Sequence, residues 1–410
     1  MPNITLLVAT FIASAFIAFN SASASQHDTV DLVIEDARLI LGDGDIIESG
    51  GLVIHDGKIV SIHEDVIGLS AKRRIDAAGQ TVLPGFIDTH VHILTEAMAD
   101  SDDALQAWID RELVNLLQSY LAAGFTSVLS MGDPFPAIMN VSKRLNSGAI
   151  RGPRLFVAGP MITATGGHPA STVCRNNEWC RQNFAFEAQD SEMARSKVRE
   201  LALAGADAVK VVFDGTPIFP QLPDDVLAAL TDEAQANGMP VMVHATEPTK
   251  TLKATELGVT HVAHAASQGA FSDDQLAHPS ISGLPVSTAA GRMNRDRRNP
   301  PRLANLRRLH DAGALIAFGT DIGGMGPADA LALEVGDLST VMSPEEVLAS
   351  LTEYAAAFLG VGDRIGTIAV GYDADLAIIN GDPLSDIEKL RNVIIVIKHG
   401  EIMVERNIAQ

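Results

Sequence analysis

Leu83-Pro84-Gly85-Phe86-Ile87-Asp88-Thr89-His90-Val91-His92-Ile93 is the stretch on which the reading of this chain turns. An apolar run begins after a Pro-Gly break and ends in His-x-His. Along an extended strand, side chains at i and i+2 share a face, so His90 and His92 project side by side. Two imidazoles at the end of a buried strand make half of a metal site. Two histidines that merely share a strand face would read the same way. The rest of the chain decides, because it supplies further ligand-type residues at the ends of later strands.

From that stretch to about residue 361, apolar strands alternate with helical segments, the signature of a parallel sheet. Eight strands are expected: Phe86–Ile93, Thr126–Met131, Arg154–Ala158, Ala208–Phe213, Pro240–His244, Val259–His264, Leu284–Thr288 and Leu315–Thr320. Between them, Ser191 opens a helix that stops at Gly205, and another runs from about Asp224 to Gly238. A third covers Asn305 to Asp311, and Ser343-Pro344-Glu345-Glu346 is a capping box with proline in the first turn. Eight strand–helix units closed on themselves give an α/β fold of the TIM (β/α)8 barrel type, with its active site at the C-terminal ends of the strands.

Residues 29–83 and 362–410 have a different texture. Short β patterns alternate with turns, among them the hairpin signal Asp56-Gly57 between Leu52-Val53-Ile54 and Ile59-Val60-Ser61-Ile62. Ala374–Ile379 and Val393–Lys398, with a turn at His399-Gly400, repeat the texture at the other end. Neither piece is long enough for a sheet pair alone. Together they predict a small β-sandwich made from both termini around an inserted barrel at residues 84–361.

Residues 1–24 read as a signal peptide: the apolar run of residues 4–19 leads to Ala22-Ser23-Ala24, although no Lys or Arg precedes Arg38. A periplasmic or secreted protein is expected, with no membrane association once the leader is removed. In that setting Cys174 and Cys180, the two cysteines of the chain, are expected to form a local disulfide. The net charge of -21 disfavours nucleic acid and anionic membrane as partners, and 5% aromatics offer no stacking platform. A small-molecule substrate is expected, and the sequence neither requires nor excludes a homo-oligomer.

The strand ends carry the chemistry. The fourth places Lys210 inside Val209-Lys210-Val211-Val212; the fifth ends in His244; the sixth offers His261 and His264 on opposite faces; the eighth ends in Asp321. With PGFIDTHVH, VKVV, HAT, HVAHA and GTD in this order, nearly everything after the leader resembles the amidohydrolase superfamily of metal-dependent barrel hydrolases. The imidazolonepropionase-like and Xaa-Pro dipeptidase-like group is the most similar. The resemblance implies a binuclear site: His90, His92 and Asp321 on one divalent metal, His244 and His264 on the other. Lys210, as N6-carboxylysine, would bridge them. Zinc is the expected metal. A core lysine suits carbamate formation, because burial enlarges its neutral fraction. His261 reads as structural.

The implied reaction is hydrolysis of an amide C–N bond in a small N-acyl amino acid or dipeptide, with Asp321 moving the proton. His168, in Thr165-Gly166-Gly167-His168-Pro169, is the candidate for contacting the developing oxyanion. Cyclic amides, lactones and phosphoesters are the alternative substrates. A metal-bound, non-catalytic binding protein is the alternative of another class. The segment Phe213–Pro217 lacks the tyrosine usual after the lysine in dipeptidase-like members, and the loop after Asp321 lacks their histidine. An arginine cluster within residues 291–302 follows the seventh strand, and Arg292 and Arg295 are the candidates for holding a substrate carboxylate.

Overall fold

A computed structural model describes residues 29–63, 69–216, 218–290, 300–321 and 325–406. The expected leader, Arg292 and Arg295 lie outside them. No helix among the described residues is long and apolar enough to cross a membrane.

The barrel strands are Phe86–Val91, Phe125–Ser130, Arg154–Val157, Val209–Val212, Val241–His244, His261–Val262, Pro285–Ser287 and Leu315–Ala317. They fall at the eight positions read from the sequence and are mostly shorter than the apolar runs that flag them. Each pairs in parallel with the next except at the third. That strand is split. Arg154–Val157 pairs with the second strand, then the chain breaks at Gly159 (φ +74°) and resumes as Met161–Ala164 beside the fourth. A further strand, Ala185–Ala188, adds in parallel to Met161–Ala164. These two short strands were not read from the sequence, since Met161-Ile162-Thr163-Ala164 and Ala185-Phe186-Glu187-Ala188 are too brief to show a period.

Both seams are bonded. Asp207 N donates to Val157 O (2.8 Å) while Asp207 Oδ2 accepts from Val157 N (2.8 Å), joining the third strand to the start of the fourth. Thr89 N and Oγ1 both donate to Phe318 O, at 2.9 and 2.8 Å, joining the first strand to the end of the eighth. Inside, Ile87, Leu129 and Met242 interleave with Ala208, Ala263 and Ala317, and Phe358 closes the cluster from the helix Glu353–Phe358. Large beside small packs the barrel interior.

The terminal segments form one eight-stranded sheet. Gln80–Pro84 pairs antiparallel with Leu376–Asn380, so residues almost 300 apart in sequence are direct neighbours. The sheet folds back on itself: Ile59 N donates to Tyr372 O (3.0 Å) and Ala374 N to Gly57 O (2.8 Å). It thereby encloses its own core of Leu32, Ile34, Leu52, Ile378 and Ile397. Asp56 and Gly57 both have positive φ, 48° and 75°, as the hairpin reading requires. A Cβ on Gly57 would meet the His399 ring at 2.7 Å, so the two terminal turns pack only because this position is glycine.

The helices opening at Ser191 and after Ser343 begin where the sequence places them. Asp190 accepts from Met193 N at the head of Ser191–Ala204, and Gly205 (φ 84°) ends it. Ser343 and Glu346 form the reciprocal capping box before Pro344–Leu351. One helix differs from expectation: it spans Pro300–Asp311 and starts five residues before Asn305. Asn305 is a buried clamp inside it, donating to Ala266 O and Gly269 O at 2.9 Å.

Candidate functional site

His90 and His92 extend from the first strand with their Nδ1 atoms bound to backbone carbonyls. His90 Nδ1 lies 2.7 Å from Ala263 O, and His92 Nδ1 lies 2.7 Å from Gly132 O. A carbonyl only accepts, so both rings carry a proton on Nδ1 and turn Nε2 away from the main chain. Those Nε2 atoms lie 3.6 and 3.2 Å from Asp321 Oδ1, and the three side chains converge as a metal-ligand group. Burial, with Lys210 nearby, holds His90 well below the usual imidazole range, which keeps it neutral and able to ligate.

Asp321 sits at φ 47°, an uncommon conformation for a residue with a Cβ, and Asp321 N donates to His90 O (2.7 Å). Gly319 makes this approach possible, because any Cβ there would collide with Ser287 Oγ and press on His90. Beneath lies a carboxylate that sequence reading passed over. Asp88 is fully buried and accepts from His90 N (3.0 Å), Thr320 N (3.0 Å) and Thr320 Oγ1 (2.6 Å). Burial pushes it up to about 7. Asp133 fixes the chain after His92 in the same manner, accepting from Ile93 N, Leu94 N and Thr95 N at 2.7–2.8 Å.

Across the barrel mouth stand Lys210, His244 and His264. Lys210 is buried with Nζ 3.7 Å from Met131 Sδ, and burial pulls it down to about 7. It acts electrostatically on His90, His168, His244 and His264 alike. His264 Nε2 lies 2.7 Å from His244 Nδ1. An Arg302 amino group approaches His264 Nδ1 at 3.4 Å, and His244 Nε2 is 3.7 Å from Asp214 Oδ2. His264 Nδ1 also lies 3.4 Å from Ala265 O, so a donor and an acceptor both face that nitrogen. Burial alone would raise the Asp214 carboxyl. The neighbouring His244 ring, with bonds from Lys250 and Thr246, overcomes that and holds it below the usual range.

His168 is brought in as well, its ring stacked on His244 at 4.8 Å and its Nδ1 2.5 Å from Thr172 Oγ1. Burial, with His244 and Lys210 close by, pushes it down to about 3, so it is neutral at physiological pH. His261 stays apart, edge-on to Phe358 at 4.8 Å. Of the residues singled out, His90, His92, Asp321, Lys210, His244, His264 and His168 thus share one barrel mouth. The donors suit divalent metals: imidazoles and a carboxylate, in a shell that fixes ring orientation.

The pattern of the amidohydrolase family matches residues 81–403. The chain belongs to the amidohydrolase family. It is 25% identical over 385 residues to the imidazolonepropionase of Caldanaerobacter subterraneus subsp. tengcongensis, covering 82% of this chain and 85% of that one. It is 27% identical over 401 residues to the imidazolonepropionase of Stenotrophomonas maltophilia, covering 87% and 93%. Among solved structures, a prolidase complexed with N-methylphosphonate-L-proline superposes with a TM-score of 0.78 at 26% identity, over 92% of this chain and 100% of that one. The protein is accordingly a hydrolase acting on C–N bonds, of a family that generally binds divalent metals, with a TIM barrel and a β-sandwich.

Proposed function

We propose that this amidohydrolase cleaves the amide C–N bond of a small N-acylated amino acid or dipeptide. The observation that carries the reading is the convergence of His90 Nε2 and His92 Nε2 on Asp321 Oδ1, opposite His244, His264 and Lys210. His90, His92 and Asp321 would hold one metal ion; His244 and His264, with Lys210 as its carbamate, would hold a second. On that second side Asp214, the nearby carboxylate, is spent on Thr246 and Lys250, and a carbamate would supply the missing anionic donor. Zinc suits imidazole and carboxylate donors. Bound divalent metal supplies Lewis-acid polarisation of the carbonyl and makes water nucleophilic near neutral pH.

The remaining work falls to side chains. Asp321 accepts the proton of the attacking water and delivers it to the leaving amine, so that one carboxylate is base and then acid. Its backbone bond, Asp321 N to His90 O, keeps the carboxylate aimed at the mouth. His168 is neutral and turns Nδ1 to Thr172, leaving Nε2 for the substrate oxygen. The relatives named imidazolonepropionase and prolidase support the C–N class. An exported enzyme is part of the reading, supported by the leader pattern and by the disulfide between Cys174 and Cys180.

The test is a hydrolysis screen of the zinc-loaded protein with Asp321→Asn as control, on N-acyl amino acids, Xaa-Pro and other dipeptides, lactones and phosphotriesters. Amide turnover lost in the variant is expected. Turnover confined to lactones or phosphotriesters would overturn the proposal.

A further inference from the structure

The excursion between Met161–Ala164 and Ala185–Ala188 does more than carry His168. It borders a cavity of about 470 Å³ whose walls include Leu94, Met98, Pro134, Val173, Trp179 and Phe184. Nothing in the reaction described above uses it. Two contacts tie it to the reacting centre. The Phe184 ring stands edge-on to His92, centroids 6.5 Å apart, and packs with Met161 and Val212. Thr172, also in the wall, bonds His168. Phe184 and Thr172 thus line the cavity and also stand beside the reacting centre.

Most polar atoms of this wall are already engaged, the amino groups of exposed Arg175 excepted. Trp179 Nε1 donates to Asp102 Oδ1 (2.9 Å), Asn177 Nδ2 to Ala99 O (2.8 Å), and Arg175 Nε to Thr172 O (3.0 Å). What faces the void is apolar surface, partly open to water at Met98 and Val173. The Cys174–Cys180 disulfide joins the turn Ala170–Cys174 to the helix Glu178–Phe184, holding Val173 and Phe184 on one braced unit. A wall fixed beforehand costs little ordering on binding.

We propose that this cavity receives an apolar side chain, aromatic or branched aliphatic, of the amide substrate whose scissile bond lies at His92 and Asp321. The inference rests on the amide-hydrolase reading and adds the substrate class. The size falls in the range of small-molecule sites, ample for one phenyl or isobutyl group. Apolar area buried there is the source of preference, and Arg175 is the one charged side chain among its described wall residues, exposed to water.

Two readouts separate this pocket from the reaction. Hydrolysis is measured on N-acetyl-phenylalanine and N-acetylglycine; binding is measured by calorimetry with 3-phenylpropanoate and propanoate, which need no turnover. The wild type should favour the phenyl member of each pair. Val173→Asp, from an exposed wall position, should lower each preference about tenfold or more. Val370→Asp, a control at an exposed valine remote from the cavity, should leave both preferences unchanged. Equal effects of Val173→Asp on both members of each pair, or a wild type without preference, would overturn the proposal. Discriminated binding without amide turnover would uphold the pocket and sink the reaction instead.

Discussion

His90 and His92 are fixed through Nδ1 by main-chain carbonyls at 2.7 Å, whereas His244 and His264 on the facing strands lean mainly on side chains and on each other, with Ala265 O at 3.4 Å from His264 Nδ1. The first pair has its Nε2 atoms aimed at Asp321 before anything binds. The second pair belongs to a chain running from Arg302 through His264 and His244 to Asp214, whose bonds have to be exchanged for a ligand. Backbone supports are set by the strand register and barrel closure; side-chain supports can rotate. The difference teaches that the first half is preorganised by the fold, while the second, on the proposed reading, would be completed by a carbamate on Lys210. The first half should fill first and more tightly.

The largest effect should come from the first half. Asp321→Asn keeps the shape but removes the proton acceptor, and kcat/KM on an N-acyl amino acid should fall about 10²–10⁴-fold. A variant within about tenfold of wild type would show that the proton travels elsewhere. Next is the support of the second half. Asp214→Asn deprives His244 of its anionic neighbour, and affinity for the weaker zinc should drop about 10–100-fold in a chelator competition. The tighter zinc should keep its affinity; equal weakening of both would erase the distinction between the halves.

A smaller effect concerns stability. Thr320→Val removes the hydroxyl bound to Asp88 Oδ2, leaving a buried carboxylate short of a donor, for a loss of about 1–3 kcal/mol by denaturant unfolding. No loss would mean that Asp88 does not brace the first half. The smallest is at the other seam. Burial raises the Asp207 carboxyl, only partly offset by its bond from Val157 N. A carboxyl with a folded value above its unfolded one stabilises fully below the unfolded value, and that advantage is lost as pH rises through the folded value. Asp207→Asn should therefore raise Tm at about pH 7.5, with the gain vanishing toward about pH 4. A gain that persists in acid would assign another cause.

Much of this was legible in the sequence because strand-end residues are marked by apolar runs that break at a turn. His90, His92, His244, His264 and Asp321 all stand at such breaks, and Lys210 stands out as a charge inside one. Their supports were hidden for a physical reason: each is a partnership across the fold. Asp88 meets Thr320 across 232 positions, and Arg302 meets His264 across 38, from a helix whose start at Pro300 no cap announced. Asp214 lay in a segment remarked only for lacking tyrosine, and its pairing with Lys250 spans a strand and a helix. The side pocket was foreshadowed by the two cysteines, but its strands were too short to declare themselves.

The most direct test of the two-halves account is the zinc content of wild-type and Lys210→Met protein, loaded, dialysed and read by inductively coupled plasma mass spectrometry. The account predicts about two zinc ions per chain in the wild type and about one in the variant, the remaining one held by His90, His92 and Asp321. Equal zinc content in the two proteins would contradict it.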